Sequence, residues 1–309
     1  MQKGGNRMTR QVKATRMSKA NRRRENIAGY LFMAPSLLFF FGFVIFPMGM
    51  CLFTSTYNYT MTDFTFTGLA NYKELFADPI FRKSLVNTII IVLSSVPTVC
   101  LFSLWVGSVI YRLHDRWTSF FRCVFYLPVV TGSVAVTVVW KWMFNPYYGI
   151  LNYLFKNMGI ISTNINWLGN VNTALWCIIM ILFTTSIGQP IVLYVSALSN
   201  VDHSLVEAAE VDGATNLQVF WKIKWPQIMP TTLYILVITT INSFQCFALI
   251  QLLTSGGPIN STSTIMYYIY YEAFKLNRYG YGSAMGVILA VIIAAFSAIQ
   301  FSLAKSDNG

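Results

Sequence analysis

The sequence predicts an all-α membrane protein with about six transmembrane helices, and three observations carry that expectation. Apolar residues make up 55% of the chain and charged residues 11%, whereas a soluble domain carries about a quarter charged. Six apolar runs are each long enough to cross a hydrocarbon core of about 30 Å as a helix. A dense basic block precedes the first run: nine of the 22 Lys and Arg residues fall within the first 24 positions.

The runs cover Ala28–Phe53, Leu85–Tyr111, Cys123–Met143, Ala174–Leu198, Pro230–Leu253 and Ser283–Leu303. Their length excludes the two soluble domains that the chain length alone would allow. Pro35, Pro47, Pro97, Pro128 and Pro190 interrupt them, which membrane helices tolerate when neighbours satisfy the freed backbone groups.

Lys3, Arg7, Arg10, Lys13, Arg16, Lys19, Arg22, Arg23 and Arg24 form the basic block, and beyond it 13 basic residues face 11 acidic ones. A basic tail beside a first span is expected on the cytoplasmic side. With six crossings the C terminus returns there, so both termini are expected in the cytoplasm of a multi-pass protein of a bacterial plasma membrane. A nucleic-acid arm is the weaker reading, because a span follows at once and no DNA-binding domain accompanies it. The run after the tail is too long for a cleaved signal peptide. The expected organisation is a basic tail over 1–26, a first helix with its outer loop over 27–84, a permeation core over 85–304, and a short tail over 305–309. Cys51, Cys100, Cys123, Cys177 and Cys246 lie in or beside apolar segments without a CxxC pair, so they read as packing residues rather than metal ligands. The outer loops Tyr57–Ser84, Asn145–Thr173 and Thr254–Gly282 offer a polar, aromatic surface to a partner from outside.

The most polar stretch after the tail is the loop at 201–230, VDHSLVEAAEVDGATNLQVFWKIKWPQIMP. Ser204 and Glu207 have capping-box spacing, so a short helix is expected to begin near Ser204, and Gly213 can close it with a positive φ. Thr215 and Gln218 repeat the spacing and begin a second helix, expected to run until Pro226 stops it. Leu217, Phe220 and Trp221 fall on one of its faces. Small Ala208 and Ala209, flanked by Glu207, Glu210 and Asp212, form an acidic knob shaped to enter a cleft on another protein. A helix meant to lie on lipid would be rich in Lys and Arg instead.

Glu207-Ala208-Ala209, Asp212-Gly213-Ala214, then Phe220, Ile223, Pro226, Ile228 and Pro230 resemble the EAA signature of ATP-binding-cassette (ABC) importer permeases. GLANYKELFADPIF, Asn87-Thr88, FRCVFYLPVV, WKWMFNPYYGILN, NWLG and LLTSGGP resemble the carbohydrate branch, which includes the maltose and glycerol-3-phosphate permeases. The resemblance implies a type I importer permease fold, a second permease subunit, two ATP-binding subunits and an extracytoplasmic solute-binding protein. It also implies that Glu207, Ala208, Ala209, Asp212, Gly213 and Ala214 meet the ATPase. No cofactor is expected on this chain, which has no GxxxxGK[ST] phosphate loop; ATP and Mg belong to the partner.

Polar residues that could line a path inside the spans are Thr131, Ser133, Thr184, Thr185, Ser186, Gln189, Thr239, Asn242, Ser243 and Gln245. The resemblance places sugar-site positions at Val129, Ser133, Thr184, Ile187, Gly188, Ile191, Thr239, Ser243 and Cys246. Of these, Ser133, Thr184, Gly188, Thr239 and Ser243 are the expected substrate path. No acidic residue falls inside a predicted span, which favours a neutral cargo with an external energy source over an ion-coupled carrier. The cargo that the resemblance implies is a carbohydrate, an oligosaccharide in the first place; a glycerol-3-phosphate or phosphodiester importer of the same fold is the alternative, and a secondary transporter ranks behind it.

Overall fold

The computed structural model describes residues 19–306, with side chains from 27 to 303. Residues 1–18 of the basic tail and 307–309 of the C-terminal tail lie outside the described residues. Residues 19–26 are helical backbone. The chain divides into two compact units, Met1–Met50 and Cys51–Gly309.

In the first unit, α1 (Lys19–Phe40) runs through a π-helical turn, Phe41–Ile45, into α2 (Phe46–Thr54), which crosses into the second unit. The turn sits just before Pro47, and the Phe46 N–H reaches back to the Phe41 carbonyl. One extra residue in the turn eases the ring away from the preceding carbonyls, so the helix continues through a proline that would otherwise break it.

The second unit begins with a hairpin, β1 (Tyr57–Tyr59) and β2 (Phe64–Phe66), antiparallel with Tyr57 opposite Phe66. α3 (Ala70–Ala77) follows, then α4 (Pro79–Ile110). α4 starts six residues before the predicted Leu85 because Asp78 caps it, accepting from the Ile80 N–H at 2.8 Å, with Pro79 in the first turn. Its buried stripe includes Ile91, Val92, Ser95, Val99, Ser103, Val106 and Ile110, and α4 packs on α8 (Ala174–Ser186), α9 (Gly188–Ser199) and α12 (Trp225–Phe244). A Cβ at Gly107 would lie 2.9 Å from Cβ of Tyr194, so the absence of a side chain sets the closeness of α4 and α9.

The remaining elements, in chain order, are α5 (Asp115–Val130), α6 (Ser133–Met143), α7 (Ile150–Asn157), α10 (His203–Val211), α11 (Asn216–Val219), α13 (Ala248–Leu253), α14 (Ile265–Tyr270) and α15 (Tyr279–Ser306). Among the described residues, four helical stretches are long and apolar enough to cross a membrane, or up to six if each of two bent pairs is one span.

Those bends correct the predicted continuous runs. The run predicted at Cys123–Met143 is α5 and α6, turned 93° at Thr131-Gly132. Both residues take extended backbone there, Thr131 Oγ1 bonds the Leu127 carbonyl at 2.9 Å, and Pro128 has already withdrawn a donor. The run predicted at Ala174–Leu198 is α8 and α9, bent 40°. Pro190 cannot donate to Ser186, so the ladder fails where the helix bends. The run predicted at Pro230–Leu253 begins earlier, at Trp225, and breaks between α12 and α13 over Gln245–Phe247.

On the hairpin face, Asp78 Oδ2 accepts from Tyr268 Oη at 2.6 Å and Tyr281 Oη at 2.8 Å. Burial would raise the Asp78 carboxyl, but these phenols and the Ile80 and Phe81 amides outweigh it and hold the carboxyl below its ordinary value. Arg278 pairs with Glu74 and with buried Glu272, tying α3 to the segment just before α15. Asn152, 3% exposed, holds the loop after α6: its amide donates to Ile165 O at 3.0 Å and Pro146 O at 3.2 Å, and Trp167 Nε1 donates to Oδ1 at 2.9 Å.

Candidate coupling elbow and translocation cleft

Two features gather the residues singled out from the sequence. The first is the α10–α11 elbow. α10 is capped by Asp202 rather than by Ser204: Asp202 Oδ1 accepts from the Ser204 N–H at 2.9 Å and from Ser204 Oγ at 2.8 Å. Those bonds hold the Asp202 carboxyl below its ordinary value. Aspartate serves better at this end because its charge also meets the positive pole of the helix.

α10 closes as a Schellman turn. Gly213, at φ +80, donates to Glu210 O at 3.1 Å, and Ala214 donates to Ala209 O at 2.9 Å. Thr215 and Gln218 then form the expected capping box. Pro226 does not end this helix, contrary to the sequence expectation. A second π-helical turn, Phe220–Lys224, precedes it with the spacing seen before Pro47, and the chain continues into α12. Leu217 and Trp221 are exposed, and Phe220 packs partly on the core, so the helix is anchored by buried Val219 instead.

Glu207, Ala208, Asp212 and Gly213 are exposed; Ala209 and Ala214 rest against the core that contains Val206 and Val219. The elbow thus presents small and acidic groups outward over an apolar footing, and a Cβ at Gly213 would meet nothing within 4 Å.

The second feature is a cleft where the three helix breaks meet. One hollow, about 490 Å³, is lined by residues 128–133 at the α5–α6 bend, by Leu182 and Thr185 of α8, and by Gln245–Leu249 at the α12–α13 break. A smaller one, about 130 Å³, lies between Thr185, Ser186 and Gln189 on one side and Ile238, Thr239 and Asn242 on the other. Val129 and Thr185 border both. No charged side chain lines either hollow. Among the described residues the exposed amides of Gln189, Asn242 and Gln245 make no side-chain hydrogen bond, so their donors and acceptors are free.

The expected path residues divide. Ser133 lines the larger hollow and Thr239 the smaller. Thr184 faces a neighbouring apolar recess with Leu127, Val139 and Trp140, its hydroxyl returned to Ile181 O at 2.8 Å. Gly188 and Ser243 do not line the cleft. Gly188 packs under the Phe125 carbonyl and Val129, and Ser243 is buried against Ser95, Oγ to Oγ 2.9 Å. Ile187 and Ile191 are core residues, whereas Val129 and Cys246 do border the cleft. Sequence reasoning named the three amides without favouring them; their signal was side-chain length beside helix breaks. A separate hollow holds Trp142, Tyr147, Tyr148 and Tyr153. Trp142 lies nine residues beyond Ser133 on α6, about half a turn around the helix, and so faces away from the cleft.

The family model described as "Binding-protein-dependent transport system inner membrane component" matches residues 76–306, nearly the whole second unit. The chain belongs to this family. It is therefore a membrane-spanning permease of an ABC importer, an inner membrane component of a system that depends on a binding protein. The probable ABC transporter permease protein YesP of Bacillus subtilis is 35% identical to this permease, over 90% of the chain and 91% of the relative. The multiple sugar-binding transport system permease protein MsmF of Streptococcus mutans is 32% identical, over 90% and 95%. A solved bacterial alginate ABC transporter, in complex with a periplasmic protein holding an alginate pentasaccharide, has a chain that superposes with TM-score 0.77 at 22% identity, covering 91% of the permease and 94% of that chain. At that identity it supports the type I permease fold alone.

Proposed function

We propose that this permease lines the import path for a neutral carbohydrate, with an oligosaccharide as cargo, and that its elbow seats in an ATP-hydrolysing partner. The uncharged cleft at the meeting of three broken spans carries the reading. Free amides and hydroxyls donate and accept in the pattern a polyol offers, at membrane depth, where unpaired polar groups are otherwise costly. The sugar systems named among its relatives point the same way.

A phosphate or phosphodiester cargo would call for Arg or Lys in the cleft, and none lines it, so that alternative ranks second. The cleft also lacks the carboxylate that an ion-coupled carrier would need.

In the full assembly a second permease completes the path, two ATP-binding subunits hold the ATP and Mg, and an extracytoplasmic solute-binding protein delivers the sugar. The elbow face and both termini lie toward the cytoplasm, the core spans 85–304, and the loop at 201–230 couples it to the ATPase through Glu207, Ala208, Ala209, Asp212, Gly213 and Ala214. Ser133, Thr239, Gln189, Asn242 and Gln245 contact the cargo.

The test is uptake of radiolabelled maltotriose and related trisaccharides by proteoliposomes holding the complete complex. Asn242→Leu and Gln245→Leu are expected to leave the ATPase subunits bound and to raise the half-saturating sugar concentration about tenfold each, the loss of one well-made hydrogen bond. Uptake that survives ATP depletion, or unchanged saturation in both variants, would count against the proposal.

A further inference from the structure

The elbow can drive the cleft only if its displacement reaches the spans, and one polar contact outside the α10–α11 loop ties them together. Lys224 closes the π-helical turn and opens α12. Its Nζ donates to Tyr111 Oη at 2.7 Å, across 113 residues of sequence, and lies 5.2 Å from the centre of the same ring. Tyr111 is the C-cap of α4, and Arg112 Nε also donates to its hydroxyl, at 3.3 Å. Among the described residues Lys224 has no carboxylate partner; this phenol is its only side-chain hydrogen bond.

The placement of Tyr111 matters as much as its bond. Its ring packs on two cores at once. One holds Tyr194, Leu198, Val206 and Val219; the other holds Ile187, Ile191 and Val195 of the bent α8–α9 span. Directly above it, Gly107 lets α4 close on Tyr194. Thr118 Oγ1, at the start of α5, bonds the Ile110 carbonyl at 3.2 Å. The end of α4 is thus joined to α5 and α9, both of which border the cleft, and Lys224 is the polar tie from that junction to the elbow segment.

We propose that Tyr111 and Lys224 form a strut that transmits elbow movement to the α4–α9 seam and so to the cleft, Tyr111 acting as a positioning residue that touches neither cargo nor nucleotide. The proposal rests on the coupling role of the elbow given above. A π-helical turn is a compliant place in a helix, and movement of the elbow would be absorbed there unless its far end were held. A lysine bonded to a half-buried phenol supplies that hold. The ammonium sits beyond the hydroxyl, close to the long axis of the ring, so a push on Lys224 is delivered along the phenol.

The test uses the complete transporter in proteoliposomes, with Cys123, the exposed native cysteine, changed to serine and Gln189→Cys placed in the cleft. A membrane-impermeant maleimide is the probe, and its labelling rate is compared with and without ATP plus vanadate. In the unmutated strut the nucleotide changes the labelling rate. Tyr111→Phe, which keeps the ring, and Lys224→Met, which keeps the stem, are expected to retain ATP hydrolysis within about twofold while the nucleotide-dependent change shrinks about fivefold or more. Lys224→Arg should restore it, because a guanidinium still reaches the phenol. The double variant should be no worse than either single one. An unchanged labelling response in both variants overturns the strut. So does a loss of hydrolysis in proportion to labelling, which marks a residue needed only for assembly. If Gly213→Trp leaves the nucleotide-dependent labelling change intact, the coupling role of the elbow itself has failed, and that result is read before any strut variant is made.

Discussion

Gly213→Trp is expected to leave the permease folded and inserted while uptake falls by about 30-fold or more, the scale of one lost interface hot spot of about 2 kcal/mol. The geometry separates folding from function at this position. Gly213 sits at φ +80 and a Cβ there would meet nothing within 4 Å, so the cost within the chain is the left-handed backbone penalty of about 1–2 kcal/mol. That penalty is confined to the turn between α10 and α11. A bulky ring there instead projects from the exposed elbow into the volume a docked ATPase must occupy. Gly213→Asn makes the contrast, because asparagine tolerates this backbone region and adds little bulk. It should transport within about threefold of the unmutated protein. Uptake and co-purified ATPase, measured on the same membranes, check the pair. Wild-type uptake with tryptophan in place would remove the elbow from the mechanism.

Gly188→Ala is expected to have the opposite character: a single methyl group that damages the fold and the cleft together. Its Cβ would run into the Phe125 carbonyl and would lie 2.8 Å from Val129 Cγ2. A backbone carbonyl within α5 cannot step aside as a side-chain end can, so α5 and α9 must separate. Overpacking of this kind costs about 1–3 kcal/mol. Because Thr185 and Gln189 flank the bend and Val129 borders both hollows, the separation also displaces the cleft lining. Thermal unfolding in detergent should shift downward, and sugar uptake should fall with it. Gly132→Ala is the matched control: its Cβ would meet nothing within 4 Å and its φ of −58 suits any residue. If the Gly188 and Gly132 variants melt alike, the close approach at Gly188 has no energetic weight.

The two glycines show where reading the sequence succeeds and where it stops. Gly213 is legible because its setting is local: an acidic, alanine-rich turn of helix before it, a Thr-x-x-Gln box after it, and a chain reversal that needs a positive φ. Gly188 was named through family likeness as a path residue, but its role is the contact of two backbones brought together by the fold. Ser243 is similar. A serine in an apolar run reads equally as path lining or as helix packing, and only its pairing with Ser95, 148 residues earlier, decides the matter. Asp202 was passed over as a cap because Ser204 and Glu207 offered the more familiar spacing, although the aspartate lay two residues upstream. Pro226 was read as a stop because a π-helical turn leaves no mark in hydropathy.

Apolar run length and charge density determined from the sequence alone that the chain spans a membrane, and short-range capping determined that a glycine elbow interrupts the loop between the fourth and fifth apolar runs. Both are properties of neighbours within a few residues, so they survive any tertiary arrangement. The folded arrangement alone decided that the breaks in three spans coincide around a cleft, that Gln189, Asn242 and Gln245 find no side-chain partner among the described residues, and that Lys224 reaches Tyr111. Those facts depend on which helices lie side by side and how closely. That closeness comes from the packing of residues far apart in the chain, such as Gly107 on Tyr194 and Gly188 under Phe125, which no local pattern encodes.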